Sequence, residues 1–475
     1  MSDVMLFFPE TLTLMGALLT FAVSMLGGSP RTTWMLALLT TLVIVAASVM
    51  ALGAVGEAFA PGIYHIDAFS QPIKLGLAVG LTLVVLLSRD LESVRPFGRV
   101  DLPTFFLLST AGMMMLTSAT ELLTFYVALE LSAYGLYVSV GLARAERAGS
   151  EAAIKYVLFG AASSAVSLYG ISLVFGATGT TYLADIGAPA GAMHGPLILA
   201  IGVLLLLSGL LFKLALFPFH FWAPDAYQSA PHPVVTLVAT VSKLAAIAII
   251  VRICSLVFSA PGALLDVFLI ASVVSMSVGN LAAMVQRDLK RLLAYSTVAH
   301  AGYVFVGMSA FTVTGFASAL FYGFLYLAVS MAAFTVVCTL GNDGHNPTKE
   351  TLSGLYRRSP ALALVLLVAV FGLAGIPPTA GFISKWMVFS AALERGNFAL
   401  VLVAAINSTI ALYYYLQLVR EAYLNEPTTD EPIGVPWPYA LAGVVSCILV
   451  IVAGVYPEPL WNLCTRAAEA VLTLH

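Results

Sequence analysis

Charge is what this sequence has least of: only 9% of its 475 residues are Asp, Glu, Lys or Arg. A soluble domain carries about 25%, so no large water-facing surface can be clothed here. With 60% hydrophobic residues and a mean hydropathy of +0.98, the chain reads as an all-α polytopic membrane protein. A net charge of −3 argues against a nucleic-acid partner. Cysteine is scarce as well. Cys254, Cys338, Cys447 and Cys464 are scattered with no CxxC or His/Cys ligand spacing, which leaves them as small hydrophobes and indicates neither an iron–sulfur cluster nor a zinc site. Also missing are a glycine-rich phosphate loop, a nucleophile elbow and a pair of catalytic carboxylates. The opening MSDVMLFFPE lacks a basic n-region and a cleavage site, so the first span is expected to be retained. Any chemistry falls to ionisable groups inside the bilayer.

What is present is a succession of apolar runs. A bilayer core about 30 Å thick takes about 20 helical residues to cross, and on that ruler the sequence predicts about fourteen transmembrane helices. They fall at about 5–26, 33–55, 71–88, 102–119, 121–142, 153–176, 196–228, 233–257, 262–285, 291–310, 313–340, 360–391, 397–420 and 436–457, followed by a short tail. Basic residues segregate accordingly. Arg31, Arg89, Arg95, Arg99, Arg144, Arg147, Lys155, Arg287, Lys290, Arg291, Lys349, Arg357, Arg358 and Arg420 all fall on one side, which is 14 of the 21 Lys and Arg. Lys74, Arg252, Arg395 and Arg466 fall on the other. The positive-inside rule then predicts both termini outside. The last three basic residues, Lys213, Lys243 and Lys385, lie within spans.

Glu130 is near the middle of the fifth span, Lys213 midway through 196–228, Lys243 central in the eighth and His300 central in the tenth. A charge at that depth costs about 2.5–3.5 kcal/mol on insertion scales, so each requires a partner, water or a neutral state. One reading is structural pairing, with Glu130 and Lys213 holding two helices together. It leaves Lys243 and Lys385 without a carboxylate, which favours a proton relay. A lysine out of water holds its proton less firmly, and a nearby carboxylate restores the hold. At 4 Å and an effective dielectric near 20 such a pair is worth about 4 kcal/mol, so a Glu130–Lys213 contact that forms and breaks would switch the lysine. His300 suits a relay between lysines, although a lone histidine is often only hydrogen-bonded to its neighbours. Arg252, Glu121 and Glu394 lie near span ends and are expected to snorkel to the interface.

Two spans are broken. Prolines dot LFKLALFPFHFWAPDAYQSAPHPV at residues 211–234, and Pro377 and Pro378 interrupt FGLAGIPPTAGFISKWMVF at 371–389, because proline removes a backbone donor and clashes with the preceding turn. Lys213 precedes its break. Lys385 follows Pro378 and is expected about 10 Å beyond it at 1.5 Å per residue, toward the outer face. The broken spans are the seventh and the twelfth, so spans 4–8 and 9–13 form two five-helix units, and an odd count forces opposite orientations. That is the signature of an inverted repeat with discontinuous helices at the midplane. The expected division is 1–100 for helices 1–3, 101–258 for the first repeat, 259–425 for the second, and 426–475 for helix 14 and the tail.

The segments LFKLALFPFHFWAPDAYQSAPHPV, RDLKRLLAYSTVAHAGYVFVG and LAGIPPTAGFISKW resemble the antiporter-like subunits shared by respiratory complex I, Mrp-type sodium/proton antiporters and membrane-bound hydrogenases. The resemblance runs from about 70 to 457. It is nearest to the N-type branch: a lysine, not a glutamate, stands in the twelfth span, unlike the M type, and the long lateral helix of the L type is absent. The resemblance implies Glu130 and Lys213 as a coupled pair, Lys243 as central relay, His300 as bridge and Lys385 as terminal donor. It implies no cofactor in this chain, with NADH, FMN, iron–sulfur clusters and quinone held by partner subunits. The implied partners are other complex I membrane subunits, notably the M-type and small K-type ones, and membrane lipid, in a bacterial inner membrane. His232 departs from the family pattern, where a small residue usually stands between the two prolines, and would tune proton entry. A cation/proton antiporter, a hydrogenase- or ferredoxin-linked complex, and a scaffold whose charges only join helices remain the alternatives.

Overall fold

The computed structural model describes residues 7–58, 62–143, 146–186, 196–258, 262–427 and 431–472. Residues 1–6, which open the first expected span, and Arg144 lie outside the described residues. The chain is a helical bundle with one small hairpin. In order it forms α1 (Phe8–Met25), α2 (Pro30–Met50), strands β1 (Gly56–Ala58) and β2 (Tyr64–Ile66), α3 (Ser70–Leu86), α4 (Leu102–Ser118), α5 (Leu122–Gly141) and α6 (Glu146–Thr178). Next come α7 (Pro196–Leu206), α8 (Ser208–Leu214), α9 (Trp222–Ser229), α10 (His232–Ala239), α11 (Val241–Cys254), α12 (Ala263–Met284) and α13 (Leu289–Met308). The chain ends with α14 (Val313–Leu340), α15 (Pro360–Ala374), α16 (Ala380–Glu394), α17 (Phe398–Tyr423), α18 (Trp437–Val455) and α19 (Glu458–Leu472).

Among the described residues ten helices are long and apolar enough to cross a membrane, and Ser70–Leu86, Leu102–Ser118 and Pro360–Ala374 are shorter apolar ones. Helices are the form that satisfies every backbone group internally where no water is available. Their starts follow the usual chemistry. Ser29, Glu121, Asp288 and Thr312 accept hydrogen bonds from the first-turn amides of α2, α5, α13 and α14.

Loops meet at two ends. At one end Asp288 pairs with Thr348 and Val94 with Ala143, while Tyr439 donates to the Asp90 carbonyl at 3.2 Å. At the other, Tyr64 pairs with Ala119 and Glu121 with Tyr182. The first of these, the basic end, gathers the loops rich in Arg and Lys.

Two pairs of glycines make matching contacts. A Cβ on Gly112 of α4 would sit 2.4 Å from the Ser132 amide of α5, and one on Gly135 of α5 would sit 2.7 Å from the Phe105 carbonyl of α4. In the second half Gly279 of α12 meets the Ala299 amide at 2.6 Å, and Gly302 of α13 meets the Met276 amide at 2.8 Å. Gly279 stands as far from Gly302 in sequence as Gly112 does from Gly135. The α4–α5 and α12–α13 crossings are therefore one backbone-to-backbone contact used twice, the small-residue packing that lets membrane helices approach closely.

Three expectations change. The eighth span is not continuous: α10 and α11 part at Thr240 (φ −117, ψ −78). The expected short tail forms a packed helix over Glu458–Leu472. α19 lays Cys464, Ala467, Ala468 and Val471 inward, and Trp461 meets Phe321 of α14 at 5.7 Å. The apolar runs also gave no hint of the β1–β2 hairpin, whose three-residue strands pair Glu57 with His65.

Candidate functional site

The site is built around the two broken helices. α8 stops because Ala215 turns left-handed (φ 61), which leaves the carbonyls of its last turn without a following helix. Side chains take them up. Trp222 of α9 donates its indole N–H to the Phe212 carbonyl at 3.0 Å, and the Lys243 ammonium of α11 donates to the Lys213 carbonyl at 2.6 Å. Lys243 also lies over the Trp222 ring, 5.1 Å from its centroid. α15 stops in the same way at Gly375 (φ 82), and Lys385 donates to the Ala374 carbonyl at 2.8 Å and the Leu373 carbonyl at 3.4 Å. In both breaks a cis X–Pro bond, Phe217–Pro218 or Pro377–Pro378, follows the left-handed residue at the same spacing. A lysine ammonium thus sits on the freed carbonyl end of each half-helix, where the helix dipole is negative.

Four of the five expected residues are deeply buried: Lys213 6% exposed, Lys243 1%, His300 6% and Lys385 6%. Lys213 lies at the end of α8 with its amine donating to Ser132 Oγ of α5 at 2.6 Å. Lys243, His300, Thr297, Tyr326 and Leu214 line one small space of about 10 Å³ whose accessible wall is apolar. His300 is held between two hydroxyls, Nδ1 to Tyr322 at 2.7 Å and Nε2 to Tyr415 at 3.2 Å. Lys385 lies over the ring of Tyr303, 4.9 Å from its centroid, and Tyr303 stacks edge-on to His300 with centroids 5.9 Å apart. From Lys213 to Lys385 the polar groups form a row across the joint between the halves.

Two expectations are modified. The Glu130–Lys213 contact is not formed here, since among the described residues no ion pair joins them, although the Glu130 charge still acts on the Lys213 amine. Ser132, two positions along the same helix, holds the ammonium instead, while Glu130 is half-buried near Tyr126, Tyr134 and Tyr137 with its Oε1 unpaired. Nor does Lys385 reach away from its break. Its long stem folds back so that the amine returns to the level of Ala374, because the orphan carbonyls there are its nearest acceptors.

A model described as NADH:quinone oxidoreductase/Mrp antiporter, TM, matches residues 119–411, which span both breaks. The chain belongs to this family. Within it the chain groups with subunit N. "NADH-quinone oxidoreductase subunit N 2" of Syntrophobacter fumaroxidans is 45% identical over 471 residues, covering 98% of this chain and 99% of its own. "NADH-quinone oxidoreductase subunit N" of Moorella thermoacetica is 36% identical over 416 residues, 86% of each. Among solved structures, a chain of respiratory complex I from Thermus thermophilus matches with a TM-score of 0.83 at 35% identity over 96% of this chain and 98% of its own. A chain of an archaeal membrane-bound sulfane sulfur reductase matches at 0.90 and 26% identity over 99% and 98%.

This antiporter-like subunit carries buried charges that the sequence reading placed in loops or at interfaces. Lys74 is fully buried and pairs with Glu10 at 2.6 Å, and the Tyr64 hydroxyl donates to the same carboxylate at 2.5 Å. Arg252 does not snorkel. It is 1% exposed, pairs with Asp67 at 2.7 Å and stacks over Phe69. Glu121 caps α5 through the Thr124 amide at 2.7 Å. Lys290 is also buried, on the Ala230 carbonyl at 2.8 Å. The sequence reading likewise passed over Ser132, Trp222, Tyr322 and Tyr415. Helical spacing holds a signal for part of this shell, since Ser296 and Tyr303 lie one turn either side of His300.

Proposed function

We propose that this subunit translocates protons across the bacterial inner membrane through Glu130, Lys213, Lys243, His300 and Lys385, driven by quinone reduction elsewhere in an NADH:quinone oxidoreductase. The observation that carries this reading is the placement of Lys243. Its ammonium rests on the Lys213 backbone and faces a space shared with His300, so a protonation change at one group alters the field at the next. Three buried lysines with no carboxylate in contact suit groups that gain and lose protons better than groups that hold helices together.

The separation of Glu130 from Lys213 fits a switch in its open position. Closing it needs only a change of partner by the Lys213 amine, from Ser132 to the carboxylate. NADH, FMN, the iron–sulfur clusters and quinone are assigned to partner subunits. Moving a charge against 100 mV costs about 2.3 kcal/mol, which must arrive from those partners. Glu130 also points to one of them. It sits in an outward row of α5 with Leu123, Val127, Tyr134 and Val138, all exposed, and a half-exposed carboxylate at that depth calls for a covering subunit rather than lipid. The M-type and small K-type subunits are the assigned neighbours. Both termini and the β1–β2 hairpin are assigned to the outer side and the basic end to the cytoplasm.

The test is proton pumping per NADH oxidised by the assembled complex in liposomes. Lys213→Ala, Lys243→Ala and Lys385→Ala are each expected to depress pumping in complexes that assemble normally. Normal pumping by all three, or sodium uptake in place of acidification, overturns the reading.

A further inference from the structure

Two asparagines meet inside the bundle, Asn280 of α12 and Asn407 of α17, the first fully buried and the second 4% exposed. Asn280 Nδ2 donates to the Asn407 main-chain carbonyl at 3.1 Å and to Asn407 Oδ1 at 3.3 Å, and it also reaches the Tyr303 hydroxyl of α13 at 3.3 Å. A carbonyl only accepts, so this amide has one orientation. Its Oδ1 is thereby turned to the Tyr414 hydroxyl of α17, which donates to it at 3.2 Å. Asn407 is fixed in its turn, because its own Nδ2 donates to the Val403 carbonyl at 3.1 Å and to Ser277 Oγ at 3.3 Å.

These bonds end on the rings that surround the relay. Tyr303 is buried, the Lys385 ammonium lies over its ring, and His300 meets that ring edge-on. Tyr414 packs on Tyr415 with centroids 4.3 Å apart, and the Tyr415 hydroxyl holds His300 Nε2. Packing alone does not call for an amide here. α12 and α13 cross at Gly279 and Gly302, as α4 and α5 cross at Gly112 and Gly135. The residues after those glycines are Asn280 and Tyr303 in one crossing but Met113 and Leu136 in the other, both fully buried. An apolar pair closes the same crossing, so the amide and the hydroxyl answer to something besides helix contact.

We propose that Asn280 is a positioning residue for proton passage between His300 and Lys385, holding the Tyr303 ring under the ammonium and beside the imidazole. The inference rests on the relay reading. An ammonium is attracted to the face of an aromatic ring and not to its edge, so the tilt of Tyr303 decides whether Lys385 has a second resting place besides the Ala374 carbonyl. The hydroxyl is the atom farthest from the ring's pivot at Cβ, and a single bond there governs the tilt. The alternative is that the two asparagines only join α12 to α17, as polar side chains do between membrane helices.

NADH-driven acidification is followed in inverted membrane vesicles holding the assembled complex, its amount read from a native gel, for Asn280→Leu, Tyr303→Phe and the two together. Asn280→Leu supplies an apolar side chain of the kind Met113 places at the matching position, and Tyr303→Phe keeps the ring while cutting its tether. Each is expected to pump about threefold to tenfold more slowly per complex, and the double variant no more slowly than Asn280→Leu alone, because both remove the same bond. The pH optimum of pumping is expected to move equally in both single variants, since Lys385 has lost the same ring, whereas a lost helix contact leaves it in place. Tyr303→Phe, which leaves the helix contacts intact, decides the matter where Asn280→Leu does not assemble. A parent rate for Tyr303→Phe, or losses that multiply in the double variant, overturns the proposal. If Lys385→Ala fails to pump while Asn280→Leu and Tyr303→Phe pump at the parent rate, the positioning role falls and the relay stands. If Lys213→Ala, Lys243→Ala and Lys385→Ala pump normally as well, both fall.

Discussion

The Lys243 ammonium lies 2.6 Å from the main-chain carbonyl of Lys213, so two lysines from neighbouring helices are coupled through the backbone rather than through a carboxylate. The broken helix is what makes this possible. A continuous helix would have spent that carbonyl on the next turn, and Lys243 would have had no acceptor at its depth. The same physics recurs at Lys385 and Ala374, so each of the two helix breaks creates a seat for a cation in the bilayer without adding a second charged side chain.

Replacing Lys243 by Met keeps its length and removes its charge. The Lys213 carbonyl then loses its partner, which costs about 1–3 kcal/mol for a buried group, a burden the complex tolerates. Proton pumping by Lys243→Met is expected to fall more than tenfold with assembly retained, whereas Lys243→Arg keeps a donor and loses less. Dye-quench acidification together with native-gel yield checks this, and equal rates for Met, Arg and the parent would refute the coupling.

Ser132 Oγ accepts from the Lys213 amine at 2.6 Å. Ser132→Ala removes that acceptor, and the freed ammonium is expected to turn to Glu130, closing the switch. Pumping should slow, and a double-mutant cycle between Glu130→Gln and Lys213→Met should show a coupling larger by about 1–3 kcal/mol in the Ser132→Ala background than in the parent. An unchanged cycle would mean that Glu130 acts elsewhere.

The Glu10–Lys74 pair binds α1 to α3 with both side chains fully buried. Removing one partner leaves an uncompensated charge and is expected to cost about 3–5 kcal/mol, while removing both is close to neutral. Glu10→Gln or Lys74→Met should therefore lower the thermal stability of the detergent-solubilised complex, and the double variant should recover most of it. Pumping by the recovered double variant is expected at parent level, because no relay residue touches this pair. A double variant less stable than either single one contradicts this account.

Much of the site was legible in the sequence because Lys213, Lys243 and Lys385 interrupt otherwise apolar runs, and proline announces both breaks. What stayed hidden depends on contacts between distant segments. Lys74 and Arg252 sit near span ends, where a long side chain ordinarily reaches water, and nothing local to them reveals Glu10 or Asp67 as partners more than sixty residues away. Lys385 looked distant from its break because sequence spacing measures Cα positions and takes no account of a four-carbon stem folding back. The separation of Glu130 from Lys213 was hidden for a similar reason. Charge complementarity suggested contact, while the amine takes the hydroxyl of Ser132 on a distant helix, which no local pattern announces. The β1–β2 hairpin and the kink at Thr240 leave too short a trace in the sequence to register.

The two breaks use different residues at the same turn, and that difference can be tested. Ala215 is left-handed (φ 61), at a cost of about 1–2 kcal/mol for a residue with a Cβ, whereas Gly375 adopts the same conformation freely. Ala215→Gly is therefore expected to be tolerated or mildly stabilising, with pumping preserved. Gly375→Ala reverses the situation twice over. It imposes the left-handed cost, and its new Cβ would lie 2.9 Å from Cδ of Lys385, pushing that stem off the Ala374 carbonyl. The expected outcome is an assembled complex with a several-fold loss of pumping, and Gly375→Ala with Lys385→Ala should be no worse than Lys385→Ala alone, because the displaced side chain is already gone. Additive losses in that pair would show that Gly375 matters only for the backbone turn.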